Sequence, residues 1–229
     1  MREIYKGKTK DVFALDDGNL LFKFKDDACV GEDGTFDPGG NKTGLSIEGM
    51  GSSNLRMTDY FYKKFNAAGI PTHYLSADLE NGTMTILPAK MFGGHGVEVI
   101  VRYRATGSFI RRYGRYAVEG QPLNALVEIT LKDDERDDPL ITRDALDALG
   151  ILTGEEHDIL TSRARDISDL IKEDLAGKGL ELIDIKLEFG RVGADGKIAL
   201  IDEVSAGNMR VFKDGAKVGP LELNKLALG

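Results

Sequence analysis

Apolar and polar residues alternate through "EIYKGKTKDVFAL" and again through "LLFKFK", on either side of the turn-forming Asp16-Asp17-Gly18. A period of two broken by such a turn predicts a β-hairpin. The period then changes: Leu55, Tyr60, Phe61 and Phe65 recur near helical spacing, so a helix is expected from about Ser52 to Ala68, with Gly69-Ile70-Pro71 as its stop. "THYLSADL" and "TMTILPAKMF" read as strands joined by an Asn81-Gly82 hairpin turn. "VEVIVRYRATGSFIRRYG" reads as strand, turn and short helix, with Ser108 as N-cap. Thr153 and Glu156 are spaced for a capping box, and Ile159, Leu160, Ala164, Ile167, Leu170, Ile171 and Leu175 form one apolar stripe ending at Lys178-Gly179. Residues 31–51 contain "GEDGTFDPGGNKTG", which has no period and reads as a mobile loop. The pattern as a whole predicts an α+β chain with antiparallel sheets.

The most informative strand is "LIDIKLEFG", where Asp184, Lys186 and Glu188 occupy every second position among Leu182, Ile183, Ile185, Leu187 and Phe189. The chain returns as "KIALIDEV", an apolar run expected to be buried on both faces that ends in Asp202 and Glu203. A three-residue loop, Ala194-Asp195-Gly196, would set Glu188 opposite Asp202; a two-residue loop would set it opposite Glu203. Either register brings two carboxylates together at a partly buried position, and such a pair calls for a cation. Mg²⁺ held by one or two carboxylates and shared with nucleotide phosphates fits that donor set. Lys186, between the acids, is placed to meet a substrate anion. A solvated strand face would explain "DIKLE" alone but not the acids at the end of "IALI".

Composition narrows the classes. The 229 residues are 41% hydrophobic and 30% charged, which suits a globular chain with a substantial core. No apolar run approaches the ~20 residues of a membrane-spanning helix, so neither a membrane partner nor a secretory leader is expected, and the location read from the sequence is cytoplasmic. Cys29 is the single cysteine, which excludes an internal disulfide and a thiolate cluster, and His73, His95 and His157 lie too far apart in sequence to suggest a metal site. The net charge of −8 argues against nucleic acid as a partner.

Local basic clusters therefore carry more meaning than the total. "YKGKTK" puts Lys6, Lys8 and Lys10 at alternate positions, on one strand face, with Gly7 leaving room for a ligand to approach the backbone. Arg102 and Arg104 share a strand face that leads into Thr106-Gly107-Ser108, a turn whose free N–H groups suit an anion. Arg111, Arg112 and Arg210 add charge nearby. Neither a Walker-type phosphate loop nor a G-x-G-x-x-G turn is present.

In order along the chain, "YKGKTKDVF", "VEVIVRYRATGSFIRRYG", "LKDDERDDP" and "LIDIKLEFGRVGADGKIALIDEVSAGNMRVF" resemble the signature segments of the SAICAR synthetase family, from about Glu3 to Phe212. The resemblance implies a two-lobed, ATP-grasp-like fold with ATP bound between a β-rich lobe, residues 1–90, and a larger α/β lobe, residues 91–229. It implies a carbon–nitrogen ligase of purine biosynthesis. The partners are CAIR (the carboxylated aminoimidazole ribonucleotide), L-aspartate and ATP, with Mg²⁺ as cofactor and an acyl phosphate as intermediate. By position, Lys186 and Asp184 stand at the reacting end, and Lys8, Lys10, Lys90, Met91, Glu188 and Asp202 at the nucleotide, the last two also as metal ligands. Arg102, Ser108, Arg210, Lys132 and Asp134 hold substrate. The family's usual Ser-Pro-Asp after the acidic pair is here Ser205-Ala206-Gly207. A homodimer is left open, and a small-molecule kinase of the inositol-phosphate type is the alternative activity.

Overall fold

The computed structural model describes residues 1–229 apart from Glu32, Asp33 and Asn41. The expected hairpin across Asp16-Asp17-Gly18 forms, from β2 (Lys10–Ala14) and β3 (Leu20–Phe24), but the run before it is two strands, because β1 (Arg2–Lys6) folds back on β2 in a hairpin of its own. Lys6, Lys8 and Lys10 do not share a strand: Lys6 ends β1, Lys10 starts β2 and Lys8 lies in the turn between them. Gly7 serves that turn. Its N–H donates to the Lys10 carbonyl, and a Cβ at Gly7 would sit 2.5 Å from that oxygen.

β4 (Asp27–Val30) pairs with β5 (Lys42–Ser46), so part of the stretch expected to be a loop is a strand, exposed along its whole length and hence without an apolar period. The rest of that expectation includes Glu32, Asp33 and Asn41, which lie outside the described residues. The helix α1 (Met50–Ala67) follows, ending as predicted at Gly69, whose φ of 74° suits a residue without Cβ. Leu55, Phe61 and Phe65 are at most 1% exposed, each contributing roughly 1.5–3 kcal/mol by burial.

β6 (Tyr74–Asp78) and β7 (Thr83–Ile86) complete a five-stranded sheet in the order β1-β2-β3-β7-β6. The run expected to be one strand, "TMTILPAKMF", is split. Pro88 has no N–H for a ladder, and beyond it β8 (Ala89–Met91) crosses to pair with a strand of the second sheet. That sheet contains β9 (Val97–Arg104), β10 (Pro122–Leu131), β11 (Glu181–Val192), β12 (Lys197–Ile201), β13 (Met209–Lys213) and β14 (Ala216–Lys217). Its alternation is hidden in β10 by Asn124 and Ala125, both in the left-handed region, where the register with β9 shifts.

The helix α2 (Ser108–Tyr113) is short, and α3 (Arg143–Ala148) precedes α4 (Gly154–Ala176). The Thr153–Glu156 capping box forms, and Leu160, Ala164, Ile167, Ile171 and Leu175 are buried against the second sheet. Leu170, expected in that stripe, sits at its flank and is 39% exposed. The last helix, α5 (Pro220–Leu228), starts with proline at its first position and buries Leu223 and Ala227. One core joins both sheets: Phe24, Met84 and Ile86 from the first, α1, and Val99, Leu187 and Phe189 from the second. No helix among the described residues is long and apolar enough to cross a membrane.

Candidate functional site

β9, β10 and β11 are neighbours, with β9 in the middle, and their alternation puts one set of side chains into the core and the other onto a shared open face. Val97, Val99, Val101, Ile129, Ile185 and Leu187 go inward. Glu98, Arg102, Glu128, Thr130, Asp184, Lys186 and Glu188 go to the other face, where they form a stripe of opposed charges.

At one end Arg102, 2% exposed, donates to Glu128 at 2.7 Å, Asp184 at 3.0 Å and the Ser108 hydroxyl at 2.8 Å. Ser108 is therefore not the N-cap. Gly107 occupies that place, and Ser108, the first helical residue, gives its oxygen to the arginine. Arg112 also reaches Glu128, at 2.7 Å. Arg210, from β13, donates to Asp184 and to Asp37, each at 2.6 Å. Gly107 is required here twice over: its φ is 55°, and a Cβ would come within 2.8 Å of the Arg210 guanidinium. Arg102, Ser108, Arg112, Asp184 and Arg210, with Lys186, Ile100, Asp138 and Leu140, line a cavity of about 350 Å³. Burial, with Glu98 nearby, pushes the Asp138 carboxyl up.

Arg104 points away from this cavity and pairs with Glu181 at 2.5 Å. In the middle of the stripe, Lys186 donates to Glu98 at 2.7 Å. Burial would pull its ammonium down, but Glu98 and Glu188 outweigh that and raise its pKa, so it stays charged.

At the other end the expected register is off by one. Val192 pairs with Lys197, leaving a four-residue loop, and Ile201 rather than Asp202 faces Glu188. A slip of one residue should send Asp202 to the opposite face. Instead β12 ends at Ile201, and Asp202 turns with a φ of 66°. The Tyr62 hydroxyl and His73 Nε2 both donate to its carbonyl at 3.2 Å, holding a backbone conformation that few residues other than glycine adopt. Burial lowers the His73 pKa to about 4, so the ring is neutral. The acidic pair therefore forms by a route that register alone would forbid: burial first, then Asp202, push the Glu188 carboxyl up.

Two lysines serve these acids. Lys132 donates to both Glu188 oxygens, at 2.7 and 2.8 Å. Lys10 lies 3.1 Å from Asp202 and 2.6 Å from Glu203. Burial opposes the Asp202 charge, but Lys10 and Lys132 prevail and hold its carboxyl below the usual range. Lys8 pairs with Asp134 at 2.7 Å. Neither Lys132 nor Asp134 lines the cavity; they stand at its lysine-rich border. Lys90 is exposed on β8 opposite Arg191, and Met91 packs with Leu87, Ala89, Val192 and Ile201 in a small apolar cluster. Among the described residues no three His, Cys, Asp or Glu side chains are grouped to hold a metal by themselves. Two hard carboxylates in a like-charged pair, Glu188 buried and Asp202 partly exposed, fit Mg²⁺ that takes its other oxygens from phosphate and water.

Glu98, Glu128, Asp37, Tyr62 and His73 belong to this arrangement without having been singled out for the site in the sequence, and Glu203, expected there only as the alternative partner of Glu188, serves Lys10 instead. Glu98 shares the alternation of Arg102 in "VEVIVRYR", a signal open to inspection; Asp37 and Tyr62 reach the site only through the fold.

A sequence model described as SAICAR synthetase matches residues 3–225. The chain is 59% identical over 228 residues to the phosphoribosylaminoimidazole-succinocarboxamide synthase of Clostridium tetani, covering 100% of each. A type-2 SAICAR synthetase solved in complex with ADP superposes with a TM-score of 0.83 at 30% identity, over 99% of this chain and 91% of that one. The synthase of Ehrlichia chaffeensis gives 0.83 at 26% identity, over 100% of this chain and 92% of that one. A match that runs from the first hairpin into the last helix, and takes in every strand of the charged stripe, shows that the chain belongs to the SAICAR synthetase family.

Proposed function

We propose that the stripe works as one reaction channel, with CAIR in the cavity at its arginine end and ATP at its lysine end. The overall activity is ATP-dependent ligation in purine biosynthesis, the joining of CAIR and L-aspartate to give SAICAR, ADP and phosphate. The observation that carries this reading is continuity: Asp184, Lys186 and Glu188 lie on one strand, so the anion-binding cavity and the carboxylate pair are two residues apart. The kinase alternative has no support from the family match.

Arg102, Ser108 and Arg210 bind the phosphate of CAIR, exchanging some of their present carboxylate partners for it. Lys186, beside Asp184, holds the CAIR carboxylate against the γ-phosphate. The resulting acyl phosphate is attacked by the aspartate amine, and the phosphate leaves as the amide forms. Lys8 and Lys10 contact the ATP phosphates, and Lys132 and Asp134 border both ligands. Lys90 and Met91, with the apolar cluster behind them, receive the adenine between lobes formed by residues 1–90 and 91–229. Glu188 and Asp202 would hold Mg²⁺, which when bound neutralises developing charge on the phosphates. No covalent intermediate with the enzyme is needed, so positioning and electrostatics supply most of the rate. The protein would act in the cytoplasm, and sedimentation would establish whether it is a homodimer.

The test is ADP release by purified protein with CAIR, aspartate and ATP each omitted in turn. Release that needs all three is the expected result. Phosphorylation of a stable alcohol without aspartate would overturn the ligase reading.

A further inference from the structure

Lys10 is held by carboxylates on two consecutive residues, and the two are not equivalent. The Asp202 side chain is 29% exposed, that of Glu203 only 6%. Asp202 sits on the strained turn beside Glu188, where a cation would claim its oxygens. Glu203 is held at both carboxylate oxygens and at its carbonyl. Its Oε1 accepts from Lys10 at 2.6 Å and from the Thr9 hydroxyl at 3.4 Å, and its Oε2 accepts from the Ser205 hydroxyl at 2.6 Å. Its carbonyl accepts from Asn208 Nδ2 at 2.6 Å, while Asn208 Oδ1 accepts from the Ser205 N–H at 2.9 Å. Ser205 Oγ in turn accepts from the Gly207 N–H at 2.9 Å. The Ser205-Ala206-Gly207 loop is thus built around Glu203. The ammonium lies near the rings of Phe22 and Phe24, 5.9 and 5.6 Å from their centroids, which offer it no second anion.

We propose that Glu203 is a positioning residue for nucleotide binding: it keeps Lys10 in place and neutralised on one side while Asp202 leaves the lysine for the metal. One lysine with a single acid would have to lose its partner at the moment the cation bound. A second, buried acid removes that conflict, because Lys10 retains a fixed partner and one free side toward the phosphates. The inference rests on the reading that Lys10 contacts ATP. It assigns the two adjacent acids opposite duties, one exchangeable and one permanent.

Three variants separate these statements: Glu203→Gln, Glu203→Asp and Lys10→Met. ADP affinity is measured by titration calorimetry in EDTA and again with Mg²⁺, alongside KM for ATP, kcat and urea unfolding. Glu203→Gln is expected to weaken ADP binding about tenfold in EDTA and raise KM for ATP similarly, with kcat changed less than threefold, because a neutral amide no longer orders the ammonium. Glu203→Asp, which keeps the charge, should recover at least half of that loss on a logarithmic scale. If Glu203→Gln only lowers stability, with ADP affinity and KM unchanged while Lys10→Met loses nucleotide, the inference is wrong and the Lys10 reading stands. If Lys10→Met binds ADP like wild type, the Lys10 reading falls and the inference with it. Should Glu203→Gln not fold, Ser205→Ala removes one hydrogen bond to the same carboxylate. A two- to fivefold rise in KM is then expected, and no rise overturns the proposal.

Discussion

At the arginine end of the stripe, Arg102, Arg112 and Arg210 face Glu128, Asp184 and Asp37, three cations against three anions. At the lysine end, Lys10 and Lys132 face Glu188, Asp202 and Glu203, two against three. The residue types differ as much as the count. A guanidinium is planar and permanently charged, so its fork fixes direction as well as distance; an ammonium is a point charge that can exchange partners. The first end is built to receive a planar or tetrahedral anion in one orientation. The second carries an uncompensated negative charge and can admit a cation with little rearrangement. Glu98 and Lys186 lie between them, where the two regimes meet.

The largest effect is expected from breaking the rigid end. Arg102→Met would leave Glu128 and Asp184 buried without their shared partner, and loss of one member of such a network costs about 3–5 kcal/mol. Urea unfolding measures it; a loss under 1 kcal/mol would mean that Arg112 and Arg210 compensate and the end is less sealed than it looks.

A pH titration weakens the other end selectively. The folded-state pKa of His73 is depressed to about 4 from an ordinary 6.5, so its contribution is fully present above 6.5 and is lost as pH falls toward 4. The linked loss is about 3 kcal/mol. Unfolding between pH 7 and 5 should show the upper part of that slope, and His73→Phe should remove it.

Asp202→Asn follows, with the fold kept and Mg²⁺-dependent turnover reduced on the order of 10²-fold, a size usual for perturbing a metal site. A magnesium titration that leaves the variant at wild-type rates would take Asp202 out of the metal site. Smallest is Asp37→Ala. Asp37 holds the Arg210 guanidinium, which keeps the Asp37 carboxyl below its usual range despite burial. Removing this competitor should lower KM for CAIR roughly two- to fivefold, in keeping with a half-buried ion pair worth up to ~1 kcal/mol. A raised KM would show instead that Asp37 orders the cavity wall.

Much of the arginine end was legible in the sequence because a strand reports its faces directly. Asp184, Lys186 and Glu188, and Arg102 before them, announce a shared surface by their period. The lysine end was harder. The approach of Glu188 to Asp202 was anticipated, but on a register that the four-residue loop does not allow, and it survives only because Asp202 leaves the β region. A positive φ at an aspartate depends on Tyr62 and His73, 140 and 129 residues away, and no local pattern encodes it. The split at Pro88 was visible as a proline inside a strand-like run; that β8 then pairs with β11 is a long-range contact, marked only by Gly190, where a Cβ would crowd Ala89 at 3.1 Å.

That crossover decides where the polypeptide can be divided. β7 is the last strand of one sheet in chain order and β8, three residues on, pairs in the other, while the Leu200 N–H donates to the Pro71 carbonyl and the His73 N–H to the Leu200 carbonyl. A polypeptide cut at Pro88 would therefore leave each sheet whole within its own fragment, joined to the other by the Pro71–Leu200–His73 backbone bonds and the shared core. Reunion of such halves would have to come from burial of that shared core rather than from strand pairing, and recovered ligase activity on co-expression would register it.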